Sequence, residues 1–116
     1  MSELTERSRL TEVARAHSED MVRRGYFSHV SPEGKDVADR VRADGLRYRR
    51  VAENIQMSRG ARDTAQSAVD SWMNSEPHRG SILDPGFVET GVGVAVAEDG
   101  EIYFTQVFMT PPEPGP

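Results

Sequence analysis

Only three imidazoles occur in these 116 residues, His17, His29 and His78, and the tripeptide Ala52-Glu53-Asn54 lies between the last two. Histidine changes charge and coordinates metals near neutral pH, so this short list narrows the chemistry quickly. His29 and His78 fall in segments that read as loops or helix ends, where sites are usually built. Two imidazoles and the Glu53 carboxylate make a sensible set for a divalent cation such as zinc, with a position left for water. Glu53 could serve that set as a ligand or as a general base. None of the separations is a local metal motif, so the set depends on the fold to bring it together. His17 belongs to an apolar helical stripe and reads as a packed core histidine.

Other chemistries are excluded early. There is no cysteine, hence no disulfide, no thiolate nucleophile and no thiolate-bound zinc. Ser28 has no Gly-x-Ser-x-Gly context and no evident triad partners. A net charge of -5 and a pI near 5.2 argue against nucleic acid as a partner. The seven arginines between Arg40 and Arg62 are interspersed with acids. They read as a solvated, salt-bridged face before a patch for anionic lipid or polysaccharide. No apolar run is long enough for a membrane span, and Met1–Glu6 is acidic without an apolar stretch, so it is no signal peptide.

The length suits one domain, residues 1–110, followed by the proline-rich tail 111–116. Leu10, Val13, Ala14, His17 and Met21 have the spacing of an amphipathic helix ending near Gly25. Ser31-Pro32-Glu33 reads as the start of a second helix, with Val37, Ala38 and Val41 inward and Gly45 as its cap. A third helix is expected from Asp63 to Pro77, with Ala65, Ala68, Val69 and a core Trp72. The pattern then changes to period two. Val92, Val94 and Val96 alternate with Gly91, Gly93 and Ala95, Asp99-Gly100 marks a hairpin, and Ile102–Met109 returns. The returning strand is apolar on both faces, so both should be covered. The small residues facing one way would let a helix approach closely. The fold class is α+β, a sandwich with helices on both sides of the sheet.

In that order, Leu10–Met21, Phe27-Ser28-His29, Ala52-Glu53-Asn54-Ile55, Trp72-Met73-Asn74-Ser75, His78-Arg79, Gly91-Val92-Gly93-Val94 and Tyr103–Phe108 resemble the CAP superfamily. This is the family of cysteine-rich secretory, antigen 5 and pathogenesis-related 1 proteins, here in its bacterial SCP-like form. The resemblance implies an α-β-α sandwich, extracellular or in the cell envelope, with a cleft that holds two histidines and two acids in the eukaryotic branch. His29 matches the first histidine and Glu53 the first acid. Ser75 and Tyr103 stand where the other two belong, and His78 matches the histidine of the bacterial form. The helix that members carry ahead of Leu10 has no counterpart, because Met1–Arg9 is too short. A homodimer covering the apolar face so exposed is one expectation.

The resemblance therefore implies a cleft of His29, Glu53 and His78, which are also the metal set, with Asn54, Ser75, Tyr103 and Gln106 around it. The expected function is a secreted or envelope-associated binding module for lipid, sterol or envelope glycan and a divalent metal. A metal-dependent hydrolase using His29, Glu53 and His78 is the first alternative. A structural domain in which these groups only pin loops is the second. The incomplete tetrad favours binding over catalysis.

Overall fold

A computed structural model describes residues 4–58 and 86–112, which form six elements. The order is β1 (Thr5–Glu6), α1 (Ser8–Arg24), α2 (Val37–Ala43), β2 (Arg50–Ser58), β3 (Glu89–Val96) and β4 (Ile102–Thr110). The strands form one sheet in the order β1-β3-β4-β2. β1 runs parallel to β3, and the other pairings are antiparallel. The helix expected from Asp63 to Pro77, with Trp72, lies outside the described residues.

α1 follows the expected stripe. Leu10, Val13, Ala14, His17 and Met21 are buried, joined by Ser18. Its start has no side-chain cap. Instead Arg7 is tied to β3, its N–H donating to Thr90 O at 2.9 Å and its guanidinium pairing with Glu89 at 3.0 Å. At the far end Gly25 takes the left-handed conformation, and its N–H closes the helix on Met21 O.

α2 begins later than Ser31-Pro32-Glu33 suggested. Ser31 and Lys35 close a turn instead, with Gly34 at φ +86° and its N–H bonded to Ser31 O. The helix then starts from a reciprocal capping box, in which Asp36 accepts from Asp39 N–H and Asp39 accepts from Asp36 N–H. Two carboxylate caps at the right spacing outweigh the earlier proline signal. The helix ends at Gly45, φ +83°, where Leu46 N–H reaches back to Val41 O and buries the leucine.

The Asp99-Gly100 hairpin forms as expected, with Gly100 at φ +87° and Ala97 N–H donating to Glu101 O at 2.8 Å. β2 and the short β1 are additions to the expected hairpin. Register places Val51, Glu53, Ile55 and Met57 on one face of the sheet with Met109, Val107, Thr105 and Tyr103. That is the face α1 packs on, because Gly91 and Gly93 of the same face lie under its backbone. A Cβ at Gly93 would come within 2.0 Å of Arg15 N, and one at Gly91 within 2.2 Å of Thr11 N. The core on this side joins Leu10, Val13 and Ala14 of α1 to Val41, Leu46, Val107 and Met109. Phe104 and Phe108, on the other face, are also fully buried, as a strand apolar on both sides requires.

The contact at Gly93 is between backbones, with no flexible side chain to yield. Gly93→Ala should therefore lower the unfolding free energy in a urea titration by about 2–3 kcal/mol or more. Gly25→Ala, where no atom lies within 4 Å of the added methyl, should cost only the strain of its positive φ, about 1 kcal/mol.

Candidate functional site

Three segments converge where β2 turns its polar residue inward. Glu53 stands on the α1 side of the sheet, and its side chain is only 1% exposed. Arg40, one turn into α2, grips the carboxylate with both prongs, Nη1 to Oε2 at 2.6 Å and Nη2 to Oε1 at 3.2 Å. Nη2 also donates to His29 O at 2.7 Å. His29 Nδ1 lies 2.9 Å from Glu53 Oε1, while the rest of its ring reaches outward and the side chain is 56% exposed. A buried carboxylate is tolerable only when it is paired and hydrogen-bonded, and Arg40 and His29 together satisfy that requirement.

The loop that carries His29 is fastened from α1. His17, fully buried, makes a 2.8 Å hydrogen bond through Nε2 to Ser28 O and meets the Tyr26 ring edge-on at 6.0 Å. Ser28 Oγ accepts from Val30 N–H. Tyr26 donates its hydroxyl to Asp20 Oδ2 at 2.6 Å. Burial pushes the Tyr26 hydroxyl up to about 12, and the bond to Asp20 adds to the effect. Burial alone would raise Asp20, but hydrogen bonds from Tyr26 and Arg23 and the charge of Arg24 hold it below the ordinary carboxylate value. His17 thus has the core role its stripe implied, and it also positions the site. A groove of about 940 Å³ runs beside the cluster, between α1 and residues 31–44, with Val13, Ala16, His17 and Arg40 in its walls.

His29 and Glu53 are brought together. Tyr103 shares their face of the sheet but pairs with Met57 and packs edge-on against Phe27 at 6.2 Å, away from Glu53. Asn54 and Gln106 are neighbours in register on the opposite face. There Gln106 donates to Thr90 Oγ1 at 3.0 Å, and Asn54 Nδ2 is buried with no partner among the described residues. The sheet separates both amides from His29. Ser75 and His78 lie outside the described residues, among which no group of three His, Cys, Asp or Glu side chains could hold a metal ion.

Sequence reasoning missed Arg40, which it counted with a solvated arginine face. The signal was present: Arg40 follows Val37 by three residues and precedes Val41, so it shares the buried side of α2.

The fastening has a pH signature. Burial, with the charge of Arg40 second, depresses His17 below its ordinary 6.5. Below pH 6.5 the unfolded chain therefore binds a proton that the folded chain resists, and protons pull toward unfolding. Stability should be full above pH 6.5 and should fall as the pH drops from there through the lowered folded value. His17→Gln should flatten that slope in urea titrations across about pH 5–7 while lowering stability at neutral pH.

The comparisons with known proteins agree with this architecture. The family model "CAP: Cysteine-rich secretory protein family" matches residues 1–108. The Bacillus subtilis (strain 168) protein YkwD is 41% identical over 100 residues, 86% of this chain and 37% of its own length. The solved structure of an extracellular protein containing a SCP domain from Bacillus anthracis is 32% identical, with a TM-score of 0.78, covering 91% of this chain and 33% of that one. An outer surface protein from Borrelia burgdorferi, 15% identical, shares the fold with a TM-score of 0.83 over 97% of this chain and 80% of that one. The chain thus spans little more than a third of YkwD. Its four-stranded sheet and packed helices have the α-β-α sandwich architecture, and the chain belongs to the CAP superfamily of cysteine-rich secretory proteins.

Proposed function

We propose that this domain is an extracellular or envelope-associated binding module whose His29 cleft takes an apolar ligand, a lipid or a sterol, without catalysis. The observation that carries this is the state of Glu53. It is buried, and its two oxygens are held by Arg40 and His29. A general base needs a lone pair aimed at a water or substrate proton, and this carboxylate spends its strongest directions on its own scaffold. The rim supports an apolar ligand. Phe27 and Val30, on either side of the Ser28-His29 dipeptide, are exposed, and so is Met57, which pairs with Tyr103. The extracellular placement is supported by the Bacillus anthracis relative.

A specific feature also favours a divalent metal. Glu53 holds His29 through Nδ1, and Nε2 has no partner among the described residues. A carboxylate fixing one nitrogen while the other faces outward is the usual support of a metal-bound histidine. In this reading His29 and His78 are ligands, and Glu53 orients His29, since the Arg40 guanidinium beside Glu53 repels a cation. A bound zinc would supply a Lewis-acidic centre with exchangeable positions.

Thermal unfolding with a long-chain fatty acid, a sterol or a soluble cell-wall glycan tests the main reading. At about ten times Kd the fatty acid or sterol should raise Tm by several degrees, and Phe27→Ser should remove the shift without changing the unliganded Tm by more than a few degrees. A shift with the glycan alone, or with none of the three, would refute it. Elemental analysis after zinc loading tests the metal: near one equivalent in the native chain and a clear loss in both His29→Ala and His78→Ala is expected.

A further inference from the structure

Among the described residues, the outer edge of β3 is paired only at its start. The hydrogen-bond pattern is set at both ends. Ala97 N–H donates to Glu101 O, so odd-numbered residues of β3 bond to β4 and even-numbered ones point away. At the other end, Thr90 O accepts from Arg7 N–H, just past β1. β1 pairs only with Glu89 and Thr90 before the chain turns into α1. The outward N–H and C=O groups of Val92, Val94 and Val96 therefore have no partner among the described residues. Val94 and Val96 are 37% and 62% exposed. No charge or proline interrupts Gly91–Val96, and its register with β4 runs unbroken. Proteins normally blunt such an edge with a charge, a proline or a bulge, and Gly91–Val96 carries none of these.

Two further observations say what fits it. α1 lies directly over β3, with Gly91 and Gly93 under the backbones of Thr11 and Arg15. Strands pair about 4.8 Å apart, whereas packed helices need about 8–10 Å between axes. Two copies joined edge to edge through β3 would force their α1 helices into each other. A single extended segment meets no such obstacle. The side of α1 that overhangs the edge is marked by Thr11, whose hydroxyl bonds Glu6 of β1. Arg15, one turn further on, lies on that same side, exposed and without an ion pair among the described residues.

We propose that Val92–Val96 of β3 is a docking edge for an extended acidic peptide. The peptide adds as a strand in line with β1, pairing with the outward groups of Val92, Val94 and Val96. Its apolar side chains lie beside Val94 and Val96, and a carboxylate on its other face meets Arg15. Main-chain bonds supply the affinity and the alternating side chains the selectivity.

The test is an NMR titration of the full chain with a synthetic hexapeptide of alternating valine and glutamate, N-methylated on the amides of one edge so that it cannot stack on itself. Shift changes should centre on Val92, Val94 and Val96, and their amide exchange should slow at saturation. Val94→Pro, which deletes an outward N–H and leaves the β4 ladder intact, should weaken binding about fivefold or more. Arg15→Glu should weaken it about threefold or more and remove its salt dependence. An equal affinity for a peptide methylated on both edges, which has no pairing edge, would overturn the proposal, and this control needs no folded variant. So would unchanged binding by Val94→Pro, shifts centred elsewhere, self-association through Val94 in the absence of peptide, or slow exchange of these three amides in the free protein.

Discussion

A carboxylate buried on the inner face of a sheet has few ways to exist, and the arrangement around Glu53 follows from that constraint. Left unpaired it would carry the full cost of desolvation and draw its strand out of the core. Arg40 neutralises it with a two-pronged hydrogen bond, so α2 must lie against β2 with that residue inward. The capping box at Asp36 and Asp39 sets where α2 begins and places Arg40 one turn inside it. The same guanidinium then takes hold of His29 O, so the imidazole is positioned by the group that neutralises its carboxylate partner. Removing either charge would strand the other, which makes the pair a specifier of geometry more than a source of net stability.

The second determinant is the absence of side chains. Gly91 and Gly93 let α1 lie on β3 with backbones nearly touching. That approach carries His17 and Asp20 to the loop that bears Phe27 and His29, and Ser18 to hydrogen bonds with Gly93 O and Thr105 Oγ1. The inner face of the sheet is thereby divided along its length. Val51, Val107 and Met109 close it into the apolar core at one end. Towards the hairpin, Met57 pairs with Tyr103, and the Tyr103 ring meets Phe27 of the His29 loop. The helix covers β3 from above and not from the side, and among the described residues only β1 pairs with its outer edge.

Much of the fold was legible because its signals are local. The stripe of α1, its glycine cap, the Asp99-Gly100 hairpin and the two-faced apolarity of β4 each follow from residues a few positions apart. β2 was not legible, and the cause is Glu53 itself. Val51, Ile55 and Met57 alternate as an inward face should, but a carboxylate at the second inward position breaks the hydrophobic period that marks a strand. The start of α2 was misplaced because Pro32 and Asp36 both announce a helix, and only the carboxylates at Asp36 and Asp39 close a reciprocal cap. β1 is two residues long and exists through its pairing with β3.

Sequence alone determined the residue types and their order: three imidazoles, the Ala52-Glu53-Asn54 tripeptide, small residues alternating through Gly91–Ala95, and motifs that resemble a single family. The tertiary structure decided the partners. It moved Arg40 from an apparent solvated face to the carboxylate of Glu53, put Asn54 and Gln106 behind the sheet, and made His17 the fastening of the His29 loop. Local patterns depend on neighbours along the chain, and composition records charge without location. Whether a charge is solvated or buried depends on which distant segment folds against it, and here a carboxylate on β2 and a guanidinium on α2 decide that for each other.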